Sequence, residues 1–421
     1  MPRLVQIATR GYDLRKTPKS EVITDMKRST DRILTTHVGS LPRPAELLLP
    51  LALKDAGDDY DRADTAARVS RSVHDVVRRQ AQIGIDVVND GEHSKSSFAA
   101  YARGRLGGLS RTDRPAKSRS ETRDTAAFPA VYAEMKVMYA ARQANNPGRR
   151  VVPPPLACTG PITYTGKADL AADLANLKAA LGEVAAEEAF VTSISATNLE
   201  LYFPNLYYRT DEEYQTALAD ALNVEYRAIV DAGFLLQIDD PRLATHFSRT
   251  PDASIEDCRR FIASRVECTN YALRGIPPEK VRYHTCYSVN VGPRVHELGL
   301  EHYVDLMLRI NTGAYSIEAS NPRHEHEWQI WESVALPDGK LLIPGVVSHC
   351  VMLVEHPDLV AQRIVRFARL IGRERVIAAN DCGFATSAAG DEPHPDVAWA
   401  KLDALVEGAR RASAQLWGGG R

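Results

Sequence analysis

The chain has 421 residues, of which 44% are hydrophobic and 25% charged, a composition typical of a globular protein. Its net charge of −2 gives no electrostatic reason to expect nucleic acid or an anionic membrane as a partner. No apolar run approaches the roughly 20 residues that span a bilayer, and six scattered cysteines favour a reducing, cytoplasmic location over a disulfide framework.

The two ends of the chain differ in character from its middle. Residues 1–32 mix basic and acidic side chains without an apolar segment, which predicts a flexible leader and not a secretory signal. Residues 417–421 are glycine-rich and are predicted to form a flexible tail. Residues 33–416 are therefore predicted to form a single domain.

Short β-like runs alternate with helical segments along this domain, the pattern of parallel strands joined by helices. The predicted fold is a single (β/α)8 TIM barrel of the α/β class. The predicted strands are Ile33–Gly39, Asp86–Asn89, Leu156–Thr159, Val191–Ala196, Phe234–Asp239, Val281–Cys286, Ala314–Glu318, Leu341–Val347 and Val376–Asp381. These nine runs compete for eight places, so either Leu156–Thr159 or Val191–Ala196 is an accessory strand.

Apolar residues at intervals of three and four predict the helices between these strands. The predicted helices are Thr65–Ile83, Leu170–Glu188, Asp211–Ala232, Ile255–Leu273, Leu359–Ile371 and Asp396–Leu416. Glycines follow three of them at Gly84, Gly233 and Gly372, where helices commonly stop. The long segment Glu92–Arg150 contains prolines and is predicted to be an insertion after the second strand, with a short helix near Ala130–Arg142.

A histidine and a cysteine stand two residues apart at the end of the predicted strand Val281–Cys286. Side chains at positions i and i+2 of a strand share a face, so His284 and Cys286 can reach one ion. Two further strand ends supply Glu318 and Cys382. The carboxyl ends of barrel strands meet at one face, which predicts a metal site formed by His284, Cys286, Glu318 and Cys382.

A second histidine-rich run has the composition of a metal site but a poor geometry for one. In the run Arg323–Glu327, a helix would place His324 and His326 about 200° apart around its axis. The remaining cysteines lack partners at ligand spacing, and Cys258 and Cys268 fall within a helical pattern that predicts packing.

Six short motifs stand in order at the ends of the predicted strands, from about Ile33 to Thr386. They are Thr35–Pro42, Asp90–Glu92, Gln237–Pro241, His284–Cys286, Ile317–Ser320 and Asn380–Gly383. Each motif is weak alone, but the ordered series is specific, and it resembles the catalytic C-terminal barrel of the cobalamin-independent methionine synthase family.

The resemblance implies a zinc enzyme that transfers a methyl group to a thiol, as in methionine biosynthesis. The implied zinc ligands are His284, Cys286, Glu318 and Cys382. The implied thiol pocket contains Ser40, Glu92 and Asp239, and His349 is the implied proton donor. Two departures are visible. Asp240 stands where methionine-forming members usually carry glutamate, and the long stretch between Cys286 and Glu318 predicts an enlarged loop or helix after the strand.

The ligand chemistry fits sulfur alkylation. Zinc makes a thiolate the stable form of a thiol near neutral pH, and the hard carboxylate of Glu318 is the ligand that a substrate sulfur would displace. The expected reaction moves methyl from a donor such as methyl-folate to a thiol such as homocysteine. The alternative is alkyl transfer by epoxide opening, as in the epoxyalkane:coenzyme M transferases of the same superfamily.

Two other classes fit the sequence less well. A structural zinc site would be closed and would not need acids such as Glu92 and Asp239 nearby. A metal-dependent hydrolase activates water and typically binds its metal with more histidines and carboxylates than thiolates. The expected partners are therefore small molecules, a thiol and a methyl or alkyl donor.

Overall fold

The computed structural model describes residues 26–113, 121–142, 144, 146–289, 291–388 and 393–418. Residues 1–25 of the predicted leader and 419–421 of the predicted tail lie outside the described residues. The strands are β1 (Leu34–Thr35), β2 (Val87–Val88), β3 (Leu106–Arg111), β4 (Leu156–Tyr164), β5 (Glu188–Ile194), β6 (Leu235–Asp239), β7 (Val281–Thr285), β8 (Ala314–Ile317), β9 (Leu341–Val347) and β10 (Ile377–Asn380).

The helices cover the outside of the sheet and several of its loops. They are α1 (Ala45–Ala56), α2 (Arg62–Ile83), α3 (Arg123–Ala127), α4 (Pro129–Arg142), α5 (Lys167–Leu181), α6 (Ala196–Tyr202), α7 (Asp211–Asp231), α8 (Arg242–Arg249), α9 (Ile255–Ala272), α10 (Val304–Met307), α11 (Pro357–Ile371) and α12 (Pro395–Trp417). None of the helices in the described part of the chain is long and apolar enough to cross a membrane.

Eight strands form one parallel sheet in the order β1, β10, β9, β8, β7, β6, β5, β2. A parallel bridge between Thr36 and Val87 joins the two ends of this sheet and closes it. The predicted α/β TIM barrel is therefore confirmed. Within the sheet β10 pairs with β1, so residues that are more than 300 positions apart in the sequence lie side by side.

The structure decides which predicted strand is accessory. Leu156–Thr159 belongs to β4, which pairs antiparallel with β3 in a separate two-stranded sheet. The run at Val191–Ala196 belongs to β5, which lies in the barrel between β2 and β6. The predicted helix Leu170–Glu188 was too long, because it ends at Leu181 and Glu188 already pairs with Val87 in the barrel.

Side chains local to each helix explain where the helices begin and end. The Asp61 carboxylate accepts a hydrogen bond from Asp64 N at the start of α2, and Ser254 and Asp257 form a capping box at the start of α9. At the end of α2, Gly84 adopts a φ of +93°, which a side chain would disfavour. The predicted helix near Ala130–Arg142 is also present, as α4.

The insertion after β2 lies over the carboxyl ends of the barrel strands. It carries β3, α3, α4 and β4. Arg123 on α3 donates hydrogen bonds to the carbonyl of Phe247 in α8 and to that of Ala253, which precedes α9. Asp124 accepts hydrogen bonds from the backbone N–H groups of Val295 and His296 in the loop after β7. The insertion therefore packs against the loop that follows the His284 strand.

The barrel interior is apolar at one end and polar at the other. Leu235, Gln237 and Asp239 alternate along β6 on one face, and Leu235 packs at the amino end in a buried cluster with residues of the other strands. Met26, from the segment before β1, belongs to the same cluster. Above this layer the Arg282 guanidinium lies 4.0 Å from the Phe190 ring centre, so polar groups begin at mid-barrel.

Candidate metal centre and substrate pocket

Three predicted metal ligands meet at the carboxyl end of the barrel. His284 lies in β7, Cys286 follows it, and Cys382 follows β10. One donor atom from each lies within 4.8 Å of the other two, and all three residues are buried. The Cys286 and Cys382 sulfur atoms are 3.4 Å apart. The strand periodicity that places His284 and Cys286 on one face therefore produces the expected cluster once β10 closes against β9.

A contact at one ring nitrogen orients the histidine of this cluster. Its Nδ1 lies 3.1 Å from the Ser316 hydroxyl of β8. Its Nε2 is buried and makes no hydrogen bond with any described residue. A buried polar atom without a partner is costly, and a hydrogen bond to the other ring nitrogen is typical of metal-binding histidines. An unpartnered imidazole nitrogen beside two thiols matches the donor set of zinc sites.

The electrostatics of the two thiols favour loss of a proton from Cys286. The hydrogen bond with Cys382 and the neighbouring His284 lower the pKa of Cys286 well below its usual range, against the effect of burial. The same hydrogen bond, together with burial, raises the pKa of Cys382. A thiol that readily becomes a thiolate, beside a second thiol and an imidazole, is suited to binding a soft or borderline metal ion.

Glu318, the fourth predicted ligand, faces a different partner. Its Oε1 accepts a hydrogen bond from Arg294 Nη1 at 2.9 Å, and its Oε2 accepts one from the Tyr287 backbone N–H at 2.8 Å. Burial would raise the pKa of Glu318, but the positive charge of Arg294 opposes this strongly and the pKa falls to about 2. Glu318 forms a second cluster with His349 and Cys350, separate from the three-residue cluster.

The predicted proton donor His349 is also buried in this second cluster. Its Nε2 lies 3.3 Å from the Ser288 carbonyl oxygen and 3.1 Å from the Cys350 sulfur. Burial lowers the pKa of His349, although the Glu318 carboxylate opposes the change. His349 is absent from the residues that line the adjacent cavity, whereas Ser288 is one of them.

A cavity with about 400 Å³ of empty space, which includes open solvent at its mouth, lies beside the three-residue cluster. The three predicted substrate residues, Ser40, Glu92 and Asp239, line it together with the cluster. The remaining lining residues are mostly apolar: Val38, Phe98, Pro241, Ser288, Val289, Gly383 and Thr386. A small, mostly apolar cavity with a few convergent polar groups is typical of a site for a small molecule.

The two carboxylates in this wall are held without neutralising partners in direct contact. Glu92 Oε1 accepts a hydrogen bond from the Thr192 hydroxyl at 2.8 Å, and Glu92 Oε2 is buried without a hydrogen bond to any residue the structure describes. The Arg43 guanidinium approaches Oε2 only to 4.0 Å. Burial raises the pKa of Asp239 to about 7, and the negative charge of Glu92 adds to the rise.

The turn between the cavity residues Val38 and Ser40 requires a glycine. Gly39 has a φ of +132°, and a Cβ atom there would lie 2.6 Å from the Thr192 methyl carbon and 3.0 Å from Glu92 Oε1. The turn at Val38–Ser40 therefore approaches the Glu92 side chain as closely as its backbone allows. Glu92 itself has a φ of +58°, an uncommon conformation for a residue with a side chain.

Sequence reasoning missed two residues that organise the site. Asp381, next to Cys382, accepts hydrogen bonds from the backbone N–H groups of Ala319 and Ser320 and thereby ties the end of β10 to the end of β8. Arg294 lies in the enlarged loop that is predicted after the metal strand. The predicted enlargement of that loop was the one feature of the sequence that pointed to Arg294. Asp381 lies within the motif Asn380–Gly383, but no role was predicted for it.

Other residues near the strand ends take part in structural contacts. Asp240 accepts hydrogen bonds from Thr197 Oγ1 and Asn198 Nδ2, both at 2.8 Å. His324 is buried between two carboxylates, 2.9 Å from oxygen atoms of Glu297 and Glu327. His326, two residues further on, is exposed.

Comparisons with known proteins agree with this architecture. Residues 33–200 match the family described as "Cobalamin-independent synthase, Catalytic domain", a stretch that includes Ser40 and Glu92. Methionine synthase of Thermococcus kodakarensis is 26% identical over 359 residues, covering 83% of this chain and 86% of the relative. Methionine synthase of Pyrococcus furiosus is 24% identical over 398 residues, covering 91% and 93%.

A solved structure shares the fold along nearly the whole chain. The B12-independent methionine synthase of Shewanella sp. W3-18-1, solved in complex with selenomethionine, superposes with a TM-score of 0.66 at 17% identity. The superposition covers 92% of this chain and 99% of that protein. The matched catalytic domain and the curated relatives support the cobalamin-independent methionine synthase family as the one that this chain resembles.

Proposed function

We propose that this protein transfers a methyl group from a small-molecule donor to the sulfur of a small thiol, at a zinc ion held by His284, Cys286 and Cys382. The observation that carries the proposal is the meeting of these three donors in the wall of a cavity that Glu92 and Asp239 also line. The similarity to the cobalamin-independent methionine synthase family supports methyl transfer to a thiol. Homocysteine as the thiol and methyl-folate as the donor are our proposals for the two substrates.

The donor set indicates what the metal supplies. Zinc bound there would stabilise the thiolate form of a substrate thiol near neutral pH while leaving its sulfur nucleophilic. Three protein ligands with one open position are typical of catalytic zinc sites, whereas structural sites have four. The unpartnered Nε2 of His284 and the 3.4 Å separation of the two sulfur atoms fit this use.

The two cavity acids give the site a preference for a cationic substrate group. Glu92 Oε2 has no hydrogen bond within the described structure, and Asp239 lies in the same wall. We propose that they accept hydrogen bonds from the ammonium group of an amino-acid thiol. Such charge-assisted hydrogen bonds are roughly twice as strong as neutral ones, so they would orient the thiol toward the three-residue cluster.

The remaining roles fall to the apolar cavity residues, which exclude water, and to His349 behind the cavity wall, which supplies a proton. Val38, Phe98 and Pro241 present apolar surface to the cavity, which limits access of water to a bound donor. The atom of the donor that loses its methyl group must take up a proton. We propose His349 as the source of this proton, since its ring reaches the Ser288 carbonyl and Ser288 lines the cavity.

A substrate panel tests the proposal. The zinc-loaded full-length protein is incubated with homocysteine or with a thiol that lacks an amine, and with methyl-folate or a small epoxide as donor. Mass spectrometry then identifies the thioether. A methyl thioether that requires zinc supports the proposal. A hydroxyalkyl thioether formed from the epoxide alone would replace it with the epoxide-opening alternative.

A further inference from the structure

The two oxygen atoms of the Glu92 carboxylate have different surroundings. Oε1 accepts a hydrogen bond from the Thr192 hydroxyl at 2.8 Å. Oε2 is buried and has no hydrogen bond to any residue that the structure describes. The Arg43 guanidinium lies 4.0 Å from Oε2, which is too far for a hydrogen bond, and donates to backbone carbonyls, including that of Glu92 itself. Glu92 therefore lines the cavity with one oxygen satisfied by the protein and the other left for a ligand.

The direction of the Thr192 hydroxyl is set by a buried lysine. Lys95 Nζ lies 2.9 Å from Thr192 Oγ1 and 2.6 Å from the carbonyl oxygen of the same residue. A lysine ammonium has three donors and no acceptor, so the Thr192 hydroxyl oxygen accepts in this contact. The single proton of the hydroxyl is then available to Glu92 Oε1. The contact with Lys95 thus fixes Oε1 as an acceptor.

Lys95 is itself confined by its surroundings. It is 2% exposed, and its Nζ lies 4.5 Å from the centre of the Tyr101 ring, a distance typical of a cation–π contact. The Tyr101 hydroxyl donates to the Glu225 carboxylate at 2.8 Å, which holds the ring in place. The carbonyl and hydroxyl of Thr192 and the face of Tyr101 therefore leave the ammonium group little freedom to move.

The backbone of Glu92 is held independently of its side chain. Its φ of +58° is uncommon for a residue with a side chain. Its N–H donates to the Asp90 carboxylate at 2.9 Å, and its carbonyl oxygen accepts from Arg43 Nη2 at 3.0 Å. Within the described structure, the contact with Thr192 is the hydrogen bond that fixes the rotation of the carboxylate itself.

We infer that Thr192, with its hydroxyl directed by Lys95, is a positioning residue that leaves Glu92 Oε2 as the acceptor for the substrate and thereby makes the pocket selective for a thiol with an ammonium group. The inference rests on the proposed function, since it assumes that Glu92 binds the ammonium group of an amino-acid thiol. A carboxylate whose two oxygen atoms both act as acceptors binds donors, and an ammonium group is the strongest donor that such a thiol offers.

The central experiment compares Thr192→Val with the wild type, both as zinc-loaded full-length protein, by isothermal titration with two thiols. Homocysteine carries the ammonium group, and 4-mercaptobutanoic acid is the same molecule without it. Valine keeps the shape of threonine but lacks the hydroxyl, so the Glu92 carboxylate loses its anchor. We expect homocysteine binding to weaken about tenfold, the size of one lost hydrogen bond to a charged group. Binding of 4-mercaptobutanoic acid should be nearly unchanged.

Two further variants separate this role from a general loss of packing. Thr192→Ser keeps the hydroxyl and should keep most of the homocysteine affinity. Thr197→Val is the matched control, since the buried Thr197 hydroxyl donates at 2.8 Å to Asp240, a carboxylate that is not among the residues lining the cavity. It should bind both thiols as the wild type does. If Thr192→Val does not fold, Thr192→Ala removes the hydroxyl without placing a methyl group against Lys95.

A double-mutant cycle tests whether Thr192 acts through Glu92. In the Glu92→Gln background, Thr192→Val should cost little further homocysteine affinity, because the carboxylate that Thr192 orients is already gone. A further loss of about tenfold in that background would overturn the inference. Equal losses for the two thiols in Thr192→Val would also overturn it. Failure of the wild type to bind homocysteine would instead overturn the proposed function.

Discussion

The parallel register of β6 and β7 pairs Asp239 with His284 across neighbouring strands. The next pair in the same row joins His284 to Ser316 on β8, whose hydroxyl lies 3.1 Å from the imidazole Nδ1. One row of strand ends thus holds an acid of the cavity, a candidate metal ligand and the hydroxyl that orients its ring. Because this row is part of the sheet, the distance between Asp239 and His284 is set by a rigid element.

The cavity acids should distinguish thiols with an amine from thiols without one. We expect Asp239→Asn or Glu92→Gln to weaken homocysteine binding by about 10- to 100-fold, the size of a lost charged hydrogen bond. Zinc content should stay near the wild-type value. Isothermal titration with homocysteine and with an amine-free thiol measures the difference. Equal losses for both thiols would show that the acids do not bind an ammonium group.

The three-residue cluster should be required for the metal but not for the fold. We expect Cys382→Ser to lose most of its zinc and nearly all transfer activity while its circular dichroism spectrum is unchanged, because the barrel has its own extensive apolar core. Cys258, which is buried in α9, provides the control. Cys258→Ser should keep both zinc and activity. Stoichiometric zinc in Cys382→Ser, measured by atomic emission, would contradict the assigned ligands.

The buried histidine between two carboxylates should make stability depend on pH. Burial alone would lower the pKa of His324, but hydrogen bonds from its ring to Glu297 and Glu327 raise it from 6.5 to about 9. A raised folded-state pKa contributes stability that is complete below pH 6.5 and is lost as the pH rises through about 9. This loss should amount to about 3 kcal/mol.

Urea unfolding at several pH values between about 6 and 10 measures this effect. The decrease in the free energy of unfolding should be much smaller in His324→Gln, which cannot become protonated. The exposed His326, two residues away, is the matched control, and His326→Gln should keep the wild-type slope. Parallel pH curves for the wild type and His324→Gln would show that His324 is not protonated between its carboxylates.

The glycine in the first cavity turn should resist any side chain. We expect Gly39→Ala to lower the free energy of unfolding by about 1–3 kcal/mol, because the added Cβ would crowd Thr192 and Glu92. Gly57 provides a control, since it has a φ of +76° and a Cβ added there would meet no atom within 4 Å among the described residues. Gly57→Ala should cost about 1 kcal/mol, the backbone contribution alone. Equal losses in the two variants, measured by urea unfolding, would argue against crowding.

Much of this architecture follows from local sequence patterns. The two-residue period places His284 and Cys286 on one strand face. Helical periodicity, with Gly84 after the last residue, predicts all of α2 except its first turn. Both depend on residues a few positions apart, where backbone geometry dictates the outcome. The choice between Leu156–Thr159 and Val191–Ala196 did not follow, because strand pairing is a long-range property and both runs have suitable composition.

The site shows the same division between local pattern and tertiary contact. Local sequence patterns predict which side chains stand at the strand ends, namely a histidine and two cysteines, with acids at neighbouring strand ends. The tertiary structure decided which groups touch, and it paired Glu318 with Arg294 instead of placing it in the three-residue cluster. Arg294 lies in an irregular loop with a φ of +57°, and no periodicity relates it to Glu318. Only the folding of that loop against the rim of the barrel brings the guanidinium to the carboxylate. The two groups stay paired because a buried charge without a partner is costly.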